Sequence, residues 1–291
     1  MSSTEEPGET VVSLSTGRNE METVELEHAS GSRAVLYLNG AHLTSWVAAD
    51  GREMLFVSER ARFEGGVTIR GGVPVIFPQF GEGALPKHGF ARTAQWEMTE
   101  MGTGDDGAAL AIVELCDSDE TRAIWPYAFR AELAVSLAES LSMTLAVTNT
   151  GEQPFAFTGA LHTYFRVDDV CHAAVEGLNG VSYIDKTRDR QHFRETRDQL
   201  TVDAETDRVY VDAPAELRIR GAAGGRTVTL RREGFRDAVV WNPWAEGARV
   251  LPDFAPDEYL RMLCVEAAAA AEPIPVAPGE TWRGTQIISV G

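Results

Sequence analysis

Apolar and polar positions alternate with a period of two over much of this 291-residue chain. Leu141, Met143, Leu145 and Val147 alternate with Ser142, Thr144 and the small Ala146. Ala215, Leu217 and Ile219 alternate with Glu216, Arg218 and Arg220, and Val228 and Leu230 with Thr227, Thr229 and Arg231. Successive side chains of a strand point to opposite faces, so this pattern predicts strands with one face in a core and one in water. Further strands are predicted at Val24–Glu27, Ala34–Leu38, Glu53–Val57, Leu110–Leu115, Glu132–Leu137, Val239–Trp241 and Thr285–Val290. Turn residues separate them, as in Asn39-Gly40, Asp50-Gly51 and Asn179-Gly180. Helical signals are few. Pro256-Asp257-Glu258 has the chemistry of a first helical turn. The run Ala267–Ala271 follows the apolar Met262-Leu263-Cys264-Val265 and reads as a strand that runs out into a loop. Many short strands with turns between them predict an all-β fold, an antiparallel sandwich or barrel with few short helices. The simplest division is a loose polar tail over residues 1–20 and a single domain over 21–291.

Composition narrows the partners. The 44 acidic residues outnumber the 26 Lys and Arg, for a formal charge of −18. Such a chain repels nucleic acid and anionic membranes, and neither is expected as a partner. No stretch reaches the roughly 20 apolar residues of a membrane span, and no secretory leader is visible. Cys116, Cys171 and Cys264 are isolated and odd in number, which favours a reducing, cytoplasmic compartment over a disulfide or zinc framework. No interaction segment stands out, so a monomer is expected. An anionic substrate would require local positive charge within this acidic background.

Three segments depart from the alternation. IRGGVPVIFPQFGEGALPKHGFAR, residues 69–92, contains the glycines 71 and 72, prolines that remove ladder donors, and the cations Arg70, Lys87 and Arg92. Arginine matches phosphate oxygens with a bidentate fork, although a solvated surface loop accounts for these charges equally well. In GALHTYF, His162 sits in an apolar, aromatic run, where it is either a hydrogen-bonded core histidine or a general acid. In RMLCVE, Glu266 ends an apolar run, as one half of a structural ion pair or as a buried base of raised pKa. A formal GxGxxG at 102–107 carries Asp105 and Asp106 and leads into a predicted strand, so it reads as a turn rather than a nucleotide site. Walker A and HExxH motifs are absent, and neither a metal nor a cofactor is expected.

Taken together and in order, IRGGVPVIFPQFG, LPKHGFAR, ALHTYFRV, TDRVY, VVWNPW and DEYLRMLCVEAA resemble the glucose-6-phosphate 1-epimerase family, of the aldose-1-epimerase group. The resemblance runs from about Val24 to Val290. It implies a large antiparallel β-sandwich of the galactose mutarotase-like type and an enzyme that interconverts the anomers of a hexose 6-phosphate. By motif position it implies His162 as catalytic acid and Glu266 as catalytic base. Arg70 and Arg92 match substrate-binding arginines, Asp207 the acid that holds sugar hydroxyls, and His88 a second pocket histidine. Lys87 departs from the glutamine of some relatives and, as a cation, would assist phosphate binding. Trp241, Trp244, Phe77 and Phe80 lie in or beside these motifs and offer stacking faces for a sugar, or simply core. The competing readings are an epimerase of unphosphorylated sugar and a silent sugar-phosphate-binding module. A glycoside hydrolase would need a carboxylate pair where the motifs supply His and Glu.

Overall fold

A computed structural model describes residues 8–291, and its regular structure is almost entirely antiparallel sheet. Four sequential strands, Val11–Thr16, Glu22–Glu27, Arg33–Tyr37 and His42–Val47, form a meander. Nine strands form the largest sheet. Their order is Gln199–Thr201, Ala174–Glu176, Glu216–Ala222, Arg226–Glu233, Thr281–Val290, Leu141–Asn149, Phe129–Leu137, Ala109–Cys116 and Glu97–Thr103. The third sheet has eight strands: Gln191–Arg194, Ser182–Asp185, Thr206–Tyr210, Asp237–Asn242, Met262–Val276, Phe155–Leu161 and Val75–Ile76, with Tyr164–Arg166 also paired to Met262–Val276.

The period-two pattern accounts for the packing between the two large sheets. Leu133, Val135, Leu145, Val147, Leu217, Leu230 and Ile288 from one, and Leu161, Phe165, Val240, Val265 and Ala267 from the other, belong to a single buried cluster. This is a β-sandwich, as expected. One polar link crosses the core, where Thr163 Oγ1 donates to Gln286 Oε1 at 2.9 Å.

Several local expectations are corrected. The supposed loose tail over 1–20 contains the strand Val11–Thr16, which pairs residue for residue with Glu22–Glu27. It lies at a sheet edge, so Leu14 is exposed and the sequence looks polar although its β-branched residues suit a strand. Residues 1–7 of that tail lie outside the described residues. Glu53–Val57 contributes single bridges at Glu53, Leu55 and Val57 instead of a strand. The alanine run does not leave the sheet: Met262–Val276 is one strand of 15 residues. Ala267 and Ala268 lie between close partner strands on both sides, where small side chains suffice. Helices are few and short, at Asp119–Ile124 and Trp244–Val250, and the Pro256 region forms the 3-10 turn Glu258–Arg261. The glycine motif at 102–107 is the expected turn, closed by Gly107 N–H donating to Gly104 O at 2.9 Å.

Candidate active site

One face of the eight-stranded sheet packs in the sandwich core, and the other carries a cavity. Strand register decides which residues reach it. Asp207 is paired with Trp241, and Trp241 with Cys264, while Val209 is paired with Val239, and Val239 with Glu266. Cross-strand partners share a face and residues two apart along a strand do too. Asp207, Trp241 and Glu266 therefore emerge together, while Val240 and Val265 turn into the core. On the neighbouring segment Ala160, His162 and Tyr164 take alternate places, with Tyr164 paired to Cys264. The rings of His162 and Tyr164 stack at 4.9 Å with their planes 15° apart.

All seven residues singled out from the sequence line one cavity of about 610 Å³: Arg70, Lys87, His88, Arg92, His162, Asp207 and Glu266. At its floor His162 Nε2 lies 3.3 Å from Glu266 Oε1, with Glu266 fully buried. Burial pushes the Glu266 carboxyl well above the usual range, and Asp207 adds to this while Lys186 opposes it. Burial also pushes His162 well down, helped by the positive charges of Arg92 and Arg70. Burial thus disfavours the charged form of each of these two groups. His88 stands beside them, its ring 5.7 Å from that of His162 and 5.2 Å from Phe80. Gly81 N–H donates to His88 Nδ1 at 3.3 Å, so the neutral ring carries its proton on Nε2. Burial, then His162 and Arg92, hold His88 far below its ordinary pKa.

The arginines differ in their partners. Arg70 Nε and Nη2 each lie 3.1 Å from Asp253 Oδ1, and Nη1 donates to the Tyr164 hydroxyl at 3.2 Å. Burial disfavours its charge, but Tyr164 and Asp253 more than offset that and hold its pKa above the ordinary value. Arg92 donates to the Lys87 carbonyl at 2.6 Å and leaves a buried Nε without a partner. Among the described residues no carboxylate forms an ion pair with it. Lys87 lies at the rim, more than half exposed and paired with Glu82 at 3.0 Å. Of the four aromatic residues, Trp241 and Phe80 line the cavity. Phe77 is wholly core, and Trp244 packs on Tyr259 with ring centres 5.2 Å apart.

Sequence reasoning missed Lys186, Tyr164 and Asp253. Lys186 Nζ is 3.1 Å from Asp207 Oδ1 and 4.7 Å above the Phe80 ring. No alternation marked it in the sequence, because Lys186 opens the turn that follows the strand Ser182–Asp185. Asp253 sits in a loop, likewise without a signal. Glu258, also missed, is buried and clamps two loops beside the cavity. Its carboxylate accepts from Ser58 Oγ at 2.6 Å, Glu59 N at 2.7 Å and Ala255 N at 2.8 Å. Among the described residues no group of His, Cys, Asp and Glu is arranged to hold a metal ion. No helix there is long and apolar enough to cross a membrane.

The profile of the family described as aldose 1-epimerase matches residues 22–289. The chain belongs to that family. Within it, a protein of Cenchrus ciliaris named "Putative glucose-6-phosphate 1-epimerase" is 40% identical over 278 residues, covering 92% of this chain and 84% of that protein. A protein of the same name from Escherichia coli K12 is 36% identical, covering 87% and 85%. Among solved structures, one titled a "putative mutarotase" from Salmonella typhimurium superposes with a TM-score of 0.88 at 31% identity, over 97% of this chain and 94% of that one. The all-β sandwich of this aldose 1-epimerase family member is thus shared nearly end to end.

Proposed function

We propose that the chain is a hexose 6-phosphate mutarotase, with Glu266 and His162 as base and acid. The observation that carries this reading is the 3.3 Å approach of His162 Nε2 to Glu266 Oε1 at the floor of a cavity lined by Arg70, Arg92 and Lys87. Glu266, as carboxylate, takes the proton from the C1 hydroxyl. The C1–O5 bond breaks, its electron pair goes to O5, and His162 delivers a proton there. The open aldehyde turns about C1–C2. O5 then adds to the other face of C1, returning its proton to His162, while O1 regains the proton held by Glu266.

This cycle needs the proton on His162, whereas burial and the charges of Arg92 and Arg70 disfavour an imidazolium there. Substrate charge reconciles the two. A phosphate dianion placed against Arg92 and Arg70 cancels the repulsion those cations exert on an imidazolium. Lys186 at the same time favours the anionic form of Glu266. The pair is then armed when a phosphorylated sugar is bound. Arg92 is the chief phosphate ligand on this reading, since it has a buried Nε and no carboxylate partner. Arg70 is oriented by Asp253 and Tyr164. Asp207 and His88 hold sugar hydroxyls and the ring-oxygen region, and Trp241 offers its face to the pyranose. Exchange NMR of glucose 6-phosphate anomers, with and without protein, tests the proposal. Acceleration of α/β exchange is expected, and exchange at the uncatalysed rate would refute it.

A further inference from the structure

Among the described residues, Lys186 is the one Lys or Arg of the cavity paired with a carboxylate carried on the cavity face of the eight-stranded sheet. Its position is built in. The strand Ser182–Asp185 runs against Thr206–Tyr210 with Asp185 opposite Arg208, so the next step along the register brings Lys186 to Asp207. Directly after the strand the chain turns through Lys186–Arg188, and the buried Asp185 side chain caps that turn. Asp185 Oδ1 accepts from Thr187 N at 3.0 Å and from Thr187 Oγ1 at 2.6 Å. The ammonium is left between the Asp207 carboxylate and the ring of Phe80, four-fifths shielded from water.

The charges it meets are unbalanced without it. Asp207 and Glu266 stand on adjacent rows of one sheet face, so ionisation of the buried Glu266 is opposed by the neighbouring Asp207 charge. The other groups around Glu266 are His162 and Tyr164 on the adjoining segment and Cys264 on its own strand. Arg70, Arg92 and His88 line the same cavity, where Arg70 is engaged by Asp253 and Tyr164 and both arginines disfavour a charged His162. Resting on the mutarotase reading, we propose that Lys186 is a positioning residue of the reaction. Its ammonium holds Asp207 in place for the sugar hydroxyls and balances the two carboxylates, so that Glu266 is free to act as the base. It differs in this from Arg92, the chief phosphate ligand, which has no carboxylate partner among the described residues, whereas the Lys186 ammonium is matched by Asp207.

The test is the pH profile of kcat for glucose 6-phosphate anomer exchange in the wild type, Lys186→Met, Lys186→Arg and Asp207→Asn, with folding followed by circular dichroism. A base that ionises less readily moves the acidic limb to higher pH. Lys186→Met is expected to move it up by about one pH unit, roughly tenfold in the ionisation equilibrium. Lys186→Arg should restore the wild-type limb. Asp207→Asn, which removes the like charge and keeps Lys186, should move the limb down, and it carries the test if Lys186→Met fails to fold. Limbs that stay fixed in the variants, or a rise in KM with no movement of the limb, would overturn the proposal and make Lys186 a structural or phosphate-binding residue. A wild type without exchange activity would overturn the functional reading itself.

Discussion

Glu266 illustrates how a single residue ties stability to chemistry. Both its carboxyl oxygens are buried without a hydrogen bond, so the ionised form is disfavoured in the folded chain. The pKa is raised on folding, so the native state binds this proton more tightly than the unfolded chain. The stability it contributes is whole below the ordinary value of 4.5 and is lost as pH rises through the folded value. Glu266→Gln is expected to abolish that slope in denaturant melts taken across pH, relative to wild type. The same substitution should cut anomer exchange by roughly 10²–10⁴-fold, the usual contribution of a general base. Parallel pH slopes in the two proteins would show that Glu266 stays ionised in the fold. At Arg92 the expectation concerns substrate. Arg92→Ala should lower kcat/KM for hexose 6-phosphate by roughly 10²-fold, in line with about 3 kcal/mol for a buried charge left unpaired. The effect should be far smaller for free glucose, and equal losses on the two sugars would remove the phosphate role. The sequence singled out both residues through their motifs. It could not place Asp253, because a loop carboxylate is brought to Arg70 only by folding.

At the scale of elements, the segment around Gly71 and Gly72 shows why local pattern is an incomplete guide. Both glycines have positive φ, +112° and +59°. A Cβ on Gly72 would run into the Leu43 carbonyl oxygen and crowd His42 Nε2 and Thr44 Cα. The same His42 nitrogen donates to Gly71 O at 2.7 Å, tying the turn to the first sheet. This backbone sets the direction of Arg70. Gly72→Ala is expected to cost about 1–3 kcal/mol, as for other residues held in a disfavoured backbone region, and to raise KM for hexose 6-phosphate. Denaturant midpoints and KM measured on one preparation check both, and an unchanged midpoint would show that the backbone has room to relax. The paired glycines were legible as a site of close approach. The bridges at Glu53, Leu55 and Val57 were not legible as such, because alternation reports which face is buried and says nothing about whether a continuous partner strand exists.

The whole molecule carries a charge of −18, yet cations line the cavity. Like-charge repulsion across such a surface opposes the compact state, and salt relieves it. Raising ionic strength to about 1 M, where the screening length is about 3 Å, should raise the melting temperature in calorimetry. A lower melting temperature would mean that the surface ion pairs outweigh the repulsion. By itself the sequence determined the sheet-rich class, the inward-facing residues of most strands, and the short list His162, Glu266, Arg70, Arg92, Lys87, His88 and Asp207. These follow from period-two alternation and from motifs, both of which are local. Tertiary structure alone decided that Asp207, Trp241 and Glu266 share a face with His162, that Asp253 orients Arg70, and that Lys186 joins Asp207. Those contacts depend on the register between strands far apart in the chain. Register is fixed by the packing of two sheets against one another and is written in no single stretch of residues.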